Sequence, residues 1–413
     1  MGEIPISRWR KVGDALALRR SIVGLLSMVV LVGMGEKMSE RFLPIYLVAL
    51  GSGMFWPGAL NAVNNLVGAL YAYPGGWLAE RLGVKRSLLI FNLIAIVGYL
   101  IVFLIPHWQA VMFASLLFLS WTAISLPATM GLISSTLPAN QQVMGVSMHS
   151  LTRRLPMALG PIAGGLFIDH WGPVKGVRIA FMGAIIMALI ALVMQQVLIE
   201  DGQKPSASPI RNNPWHLLRG FSPQLKSLFV SDVLIRFCEQ IPYAYVVLWC
   251  MRQVAGYRTA RVTATQFGIL TAVEMATAVA IYLPVAKMAD KSSKKPFVVI
   301  TFVNFALFPL VLFYSRTFPM LVVAFILRGL KEFGEPTRKA LIMQLAPRDR
   351  KAASFGAYYL FRDSIVALAA FAGAYLWTLN PAVNLLSAFA FGIGGAIWFF
   401  IFGRDSSFNS ERS

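Results

Sequence analysis

The chain has 413 residues, 57% of them hydrophobic and 13% charged, and its 37 Lys and Arg outnumber 18 Asp and Glu for a net charge of +19. In an ordinary soluble domain about a quarter of the side chains are charged, so this composition excludes a soluble globular fold. Apolar residues fall instead in runs such as 87–106, 177–199, 296–314 and 382–403, each close to the ~20 residues that carry a helix across about 30 Å of hydrocarbon.

From the N-terminus, a basic segment (Arg8, Arg10, Lys11, Arg19, Arg20) precedes a predicted helix over 22–50. The apolar stretch has no small-residue cleavage site and reads as a retained first span rather than a signal peptide. Glu36, Lys37, Glu40 and Arg41 fall about halfway through it, where an ionised group is costly unless paired or facing a wet cavity. Lys37 and Glu40, three apart, can pair, while Glu36 and Glu40, four apart, share a face. The second helix, 55–79, carries Asn64 and Asn65. A short turn holding Gly76, Glu80, Arg81, Gly83, Lys85 and Arg86 leads to the third, 87–106. Glycine in such a turn lets two helices approach closely, and an acid followed by bases can pair across their ends. Trp121 lies in the fourth helix, 108–133. The fifth, 144–169, has Arg153 and Arg154 a third of the way in, then Gly160-Pro161-Ile-Ala-Gly164-Gly165, small residues for close packing with a proline that can bend the span. A sixth helix covers 177–199.

Residues 200–226 contain Asp-Gly, Pro205, Pro209 and Asn-Asn-Pro, cannot span, and read as a linker. The seventh helix, 227–250, carries Asp232, Arg236, Glu239 and Tyr245. Its cysteines, Cys238 and Cys250, lie about 18 Å apart by helical rise and cannot bridge. Glu274, in the eighth helix (263–288), has no obvious local partner, and a turn with Asp290 and Lys291 leads to the ninth, 296–315. Along the tenth, 317–344, spacings of four let Arg328 pair with Glu332, Lys331 with Glu335 and Glu335 with Lys339. Arg338 and Lys339 are expected to snorkel to the surface, leaving Arg328 and Glu332 deeper. The eleventh helix, 353–379, holds Arg362 and Asp363, and the twelfth spans 382–403.

The two halves repeat. At an offset of 209, Pro127 falls on Pro336, Leu132 on Leu341, Pro138 on Pro347, Arg153 on Arg362 and Gly164 on Gly373. Glu80-Arg81 falls on Asp290-Lys291 at 210, and Lys37, Glu40 and Tyr46 meet Arg236, Glu239 and Tyr245 at 199. The expected fold is therefore an all-α integral membrane protein of about 12 transmembrane helices in two pseudo-symmetric six-helix bundles, 21–199 and 227–403. An N-terminal segment (1–20), the central linker and a tail (404–413) complete the chain. With six spans each, the copies share one orientation, and parallel repeats place a solute path at their interface.

The positions of the bases explain the net charge. With the N-terminus inside, the inner segments hold 21 Lys and Arg and the outer loops six. This positive-inside bias puts both termini in the cytoplasm of a bacterial-type inner membrane. Exposed aromatics do not alternate with a basic face, which argues against nucleic acid.

The segment from Gly76 to Arg86 resembles the loop signature of the major facilitator superfamily, Gly-x-x-x-Asp-Arg-x-Gly-Arg-Lys, departing at Glu80 and Val84. Ala286 to Lys295 stands where that family's pseudo-symmetry requires a second copy. The resemblance covers essentially the whole chain. It implies that Gly76, Glu80, Arg81, Gly83, Lys85, Asp290 and Lys291 serve as a conformational gate, with Arg153 and Arg362 in a shared gating or positioning task. Gly160-Pro161-x-x-Gly164-Gly165 is similar to the core of the family's antiporter signature, although Pro156 stands at the upstream glycine and the fourth helix lacks the buried arginine of many proton-driven exporters. Glu36 to Phe42 is similar to the Glu-x-x-Glu-Arg-Phe element of proton-coupled peptide transporters, one residue too long and without the tyrosines that should follow.

The resemblance further implies that the first and seventh helices face the central path. Glu36, Glu40, Glu239 and Asp232 are then the proton-coupling candidates. Cavity candidates are Lys37, Arg41, Asn64, Asn65, Trp121, Arg236, Tyr245, Glu274, Arg328 and Glu332. The expected function is secondary transport by alternating access, as proton-coupled export of a small organic solute by a monomer in the lipid bilayer. Proton-linked uptake of a sugar, organic acid or peptide is the second reading, and a lipid flippase or membrane sensor the third. No phosphate-loop sequence suited to ATP, no paired spacing of His107, His149, His170 and His216 suited to zinc and no nucleophile elbow occurs, so neither cofactor, metal nor enzyme activity is expected.

Overall fold

The computed structural model describes residues 20–118, 129–130, 132–133, 136–137, 139–199, 214–252, 254, 256–289, 293–347 and 351–404. Every regular element among them is a helix. In chain order these are α1 (Arg20–Glu40), α2 (Leu43–Ala49), α3 (Trp56–Leu82), α4 (Val84–Leu104), α5 (Trp108–Phe118) and α6 (Ala139–Leu198). There follow α7 (Pro214–Arg219), α8 (Pro223–Gln240), α9 (Val246–Met251), α10 (Ala264–Ala289), α11 (Lys294–Tyr314), α12 (Phe318–Leu330), α13 (Glu335–Leu345), α14 (Lys351–Leu379) and α15 (Pro381–Phe402). Eight helical runs among the described residues are long and apolar enough to cross a membrane. One of these runs past Gly172, whose φ of 77° turns the chain without a loop and divides the run into the fifth and sixth expected spans.

Where the structure departs from uninterrupted spans, proline is the cause. Its ring clashes with the carbonyl four residues earlier and it lacks an N–H, so a helix can kink or break ahead of it. The first span stops at Glu40 and restarts with Pro44 in the first turn of α2; the seventh stops at Gln240, just ahead of Pro242. The tenth breaks over 331–334, ahead of Pro336 in the first turn of α13. The seventh span also begins earlier than expected, at Pro223, with the Ser222 side chain accepting a hydrogen bond from the Leu225 amide as its cap.

The chain forms two compact units, Met1–Arg41 with Leu70–Ser208, and Phe42–Ala69 with Pro209–Ser413. In the first, α1 lies along α6, and α4 packs on both α5 and α6. Buried amides join them, with Asn92 donating to the Gln195 side chain at 2.7 Å and Gln195 to the Lys85 carbonyl at 2.9 Å. The second unit packs α15 against α8 and α11, α12 against α10, and α14 against α8. Its core runs through Leu225, Leu228, Ile235, Phe302, Leu341, Tyr358 and Phe399.

Candidate functional site

Within the first unit, α1 holds Glu36, Lys37 and Glu40 on adjoining turns. The Lys37 ammonium is 2.9 Å from Glu36 and also bonds Glu40, so one cation serves two carboxylates, of which Glu36 is 3% exposed. Arg153 and Arg41 lie within electrostatic reach of Glu36 and Glu40 respectively. The glycines of α6 make this arrangement possible. A Cβ added at Gly160 would stand 2.7 Å from Lys37 Cβ, and one at Gly164 would overlap the Met38 carbonyl, so α6 rests on the backbone turn that bears the charges. Pro161 and Gly165 are buried in the same stretch. Tyr99 is buried too, and its hydroxyl has no hydrogen-bond partner among the described residues.

Within the second unit, nine side chains form a ladder of alternating charge. Arg362 on α14 reaches Asp232 on α8 at 3.3 Å, and Asp232 bonds Arg338 on α13. Arg338 meets Glu335 at 2.6 Å, and Glu335 meets Arg236 at 3.5 Å. Arg236 holds Glu239 at 2.6 Å, and Glu239 holds Lys331 at 2.9 Å. Lys331 lies 3.3 Å from Glu274 on α10, which completes the ladder with Arg328 at 3.4 Å. The Tyr358 hydroxyl donates to Asp232 at 3.1 Å. Five bases thus face four acids, and Arg362 also reaches the half-exposed Asp363 at 2.7 Å. Such groups cost several kcal/mol each to desolvate, so their value lies in mutual pairing rather than in net stability.

Three of these contacts follow from the break over 331–334. It frees Lys331 to turn toward Glu239 and Glu274, and lets α13 aim Arg338 at Asp232. Arg328 and Lys331 both reach Glu274 on α10, Lys331 also reaches Glu239 on α8, and the expected pair of Glu335 with Lys339 forms at 3.5 Å. Arg338 does not snorkel but is 1% exposed; Lys339 is the one that reaches the surface. Gly334 makes the break fit, its amide donating to the Thr301 hydroxyl at 2.5 Å, where a Cβ would meet the Phe297 carbonyl at the same distance. Glu332 is half-buried beside it.

A cavity opens beside the ladder, lined by Glu239, Arg328 and Lys331 on one side and by Cys238, Val246, Asn304, Phe305 and Phe308 on the other. It is narrow, with room for about one water. Elsewhere in this unit, the Gln240 side-chain oxygen accepts from both Asn61 (3.0 Å) and Asn65 (2.9 Å). Asn64 is half-buried next to them. Tyr245 is fully buried, stacked on Trp377 at 4.5 Å and donating to the Met54 carbonyl.

At the predicted gate, Gly83 alone separates α3 from α4, with φ of 84°, a conformation costly for a residue with a Cβ. The Ser87 hydroxyl spans the turn between the Leu78 and Gly83 carbonyls, and Arg81 stacks on Trp77 at 5.2 Å. Gly76 lies in α3. The side chain of Glu80, and Trp121, Asp290 and Lys291 altogether, lie outside the described residues. Sequence reasoning singled out Asp232, Arg236, Glu239, Glu274, Arg328 and Arg362 but left Lys331, Glu335, Arg338 and Tyr358 out of the site. The signal that could have found them is Pro336, which can break a helix and here interrupts the spacing that seemed continuous. No group of three or more His, Cys, Asp or Glu among the described residues could hold a metal ion.

The sequence profile of the Major Facilitator Superfamily matches residues 25–261 and 228–413. The multidrug resistance protein MdtG of Escherichia fergusonii is 26% identical over 254 residues, 59% of this chain and 60% of that protein. The quinolone resistance protein NorA of Staphylococcus aureus is 27% identical over 194 residues, 46% of this chain and 48% of that protein. The chain thus spans about half to three fifths of the length of these relatives. Among solved structures, the nucleoside transporter NupG superposes with a TM-score of 0.79 at 12% identity, covering 93% of this chain and 100% of that one. The peptide transporter POT superposes at 0.74 and 14% identity, covering 93% and 94%. At such identities the structures establish the fold alone, and with the profile match across both halves they show that the chain belongs to the major facilitator superfamily.

Proposed function

We propose that the protein is a proton-coupled exporter of small organic solutes, working by alternating access from the cytoplasmic side of a bacterial inner membrane. The observation that carries this reading is the recurrence, in both repeats, of buried acids held by bases just ahead of a proline break: Glu36, Lys37 and Glu40 before Pro44, and Arg236 and Glu239 before Pro242. Ionisable groups at membrane depth mark ion and solute paths more often than they contribute stability. In the first repeat one ammonium bridges two neighbouring carboxylates, either of which a proton can neutralise. In the second, Glu239 lines a narrow cavity walled by Phe305 and Phe308, which would have to widen to admit an organic solute. Export rather than uptake is supported by the relatives named for multidrug and quinolone resistance. The excess of bases in alternate loops and at both ends of the chain supports cytoplasmic termini.

The test is transport by the full chain in proteoliposomes under an imposed pH gradient, with a fluoroquinolone and a mixed metabolite library as solutes, for wild type, Glu40→Gln and Glu239→Gln. Gradient-dependent movement that both substitutions abolish is the expected result. Equal movement without a gradient and in both variants overturns proton coupling, and accumulation only in the uptake direction overturns export.

A further inference from the structure

A second opening in the structure lies away from the charge ladder, where α8 begins and α15 ends. It is a groove enclosing about 1030 Å³, open along one side. Its rim is polar: Lys226 and Gln224 come from the first turn of α8, and Arg404 follows α15. Its floor is apolar, made by Val230 on α8 and by Trp398, Ile401 and Phe402 on α15. All four are large side chains left substantially exposed, Ile401 by 61% and Phe402 by 52%.

No carboxylate among the described residues compensates the charge at the rim. Lys226 donates to the Arg219 carbonyl at 3.2 Å, which leaves two of its protons free, and neither Lys226 nor Arg404 meets a carboxylate among the described residues. The N-terminus of α8, an 18-residue helix, adds its positive end to the same rim. On the adjoining face of α15 a third base, Lys295, lies 5.7 Å from the Phe400 ring.

The spacing of the two linings matters. Val230 lies one helical turn, about 6 Å, beyond Lys226, and Trp398 lies about 9 Å before Arg404 by helical rise. A ligand filling the groove would therefore place negative charge at the end of the bundle and hydrocarbon along the helices, with the Trp398 indole at the boundary where tryptophan accumulates in membrane proteins. Basic pockets at the ends of membrane helices recognise anionic headgroups by this combination. A zwitterionic headgroup would place its own cation against two bases and a helix N-terminus.

We propose that this groove is a binding site for an anionic phospholipid, the phosphate held by Lys226 and Arg404 and an acyl chain lying along Val230, Ile401 and Phe402. The groove shares no lining residue with the cavity beside the charge ladder, and its occupancy does not depend on which solute the protein carries.

Full-length protein reconstituted in phosphatidylcholine bilayers tests the site when phosphatidylglycerol with brominated acyl chains is titrated in. Bromine quenches indole fluorescence on contact, and subtracting a parallel titration of Trp398→Phe isolates the Trp398 signal from the other tryptophans. Quenching at a lower mole fraction for brominated phosphatidylglycerol than for brominated phosphatidylcholine is the expected result. Lys226→Ala with Arg404→Ala should shift the midpoint about 30-fold, at roughly fivefold per base. Arg252→Ala with Arg261→Ala, which removes the same charge from the opposite end, should leave it in place. Circular dichroism and the thermal midpoint in phosphatidylcholine check that both pairs fold. Equal quenching by the two lipids, or equal shifts in the two variant pairs, overturns the proposal. So does relief of quenching by soluble glycerol phosphate, which would make this a free-anion site, or crosslinking of residues 405–413 into the groove in the presence of phosphatidylglycerol.

Discussion

Asp232→Asn removes one charge from the ladder and almost no volume, so it isolates the electrostatic role of the pairing. Asp232 meets Arg338 directly, Arg362 at 3.3 Å and Arg236 at 3.9 Å, and is 1% exposed. At an effective dielectric constant near 20, a unit pair 3.3 Å apart attracts by about 5 kcal/mol. Part of this is recovered because each arginine keeps a second acid: Glu335 for Arg338, Asp363 for Arg362 and Glu239 for Arg236. The remaining cost is set by the charge count, which goes from five bases against four acids to five against three. Breaking a buried pair in this way costs about 3–5 kcal/mol, and the retained partners place the expected value near the lower end, at about 3. Adding Arg338→Met restores the original excess of one base and fills the space with an apolar chain. The double variant should therefore recover about 2 kcal/mol, a coupling well above the ~0.5 kcal/mol scatter of independent sites. The assay is denaturant unfolding in detergent of wild type, both single variants and the double variant. Additive losses, or an Asp232→Asn effect below about 1 kcal/mol, would refute the view that these nine residues share one charge balance.

Three further outcomes follow from contacts in the separate units. Gly164→Ala and Gly373→Ala should each destabilise by about 1–3 kcal/mol or prevent folding, because the new methyl meets a backbone carbonyl, of Met38 in one case and Ile241 in the other; thermal melting and size-exclusion profiles report it. Gln240→Leu takes the shared acceptor from Asn61 and Asn65 and should cost about 1–3 kcal/mol, whereas Gln240→Glu, which keeps an acceptor oxygen, should cost less; a melting series that ranks them in reverse would refute the amide clasp. Pro336→Ala should let α12 and α13 join across 331–334 and draw Lys331 away from Glu239, which a Lys331–Glu239 double-mutant cycle would detect as coupling lost from the Pro336→Ala background.

The fold was legible because hydrocarbon thickness fixes the length of an apolar run and duplication fixes its order. The loop glycine at 83 and the motif glycines at 160 and 164 could be read as positions of tight turning or close packing, and the structure gives them those tasks. Six of the nine ladder residues were legible for a different reason: a charge in a membrane span stands out whatever it touches, which identified Asp232, Arg236, Glu239, Glu274, Arg328 and Arg362. Their pairings across elements did not stand out. A helical wheel assigns partners at three and four residues; it found Glu335 with Lys339 but missed the contacts of Arg328, Lys331 and Arg338 to other elements, where a proline breaks the helix. Arg338 looked peripheral by its distance from the end of the span, yet the break turns it into the most enclosed base of the cluster. The amide clasp had no signal at all, since Gln240 with Asn61 and Asn65 joins residues about 180 apart without charge, motif or repeat to connect them.

The repeats share their packing more closely than their chemistry. Gly164 and Gly373, at equivalent positions, each bring a helix against the backbone of the first span of its own half. That contact leaves no freedom for a side chain and so survives duplication in both copies. The charges packed near it have diverged. In the first copy Lys37 serves Glu36 and Glu40 within one helix; in the second, Arg236 and Glu239 are drawn into contacts with three other elements through Lys331, Glu335 and Arg338. Protonating the triad changes ion pairs made within α1, whereas a change in the ladder alters the attraction between α8, α10, α13 and α14. On the transporter reading, a proton is therefore best exchanged in the first half and best felt as movement in the second. Glu40→Gln should then abolish the pH dependence of transport with little change in melting temperature, while Glu239→Gln should lower both transport and stability. If the two variants lose stability equally, this division of labour between the copies is wrong.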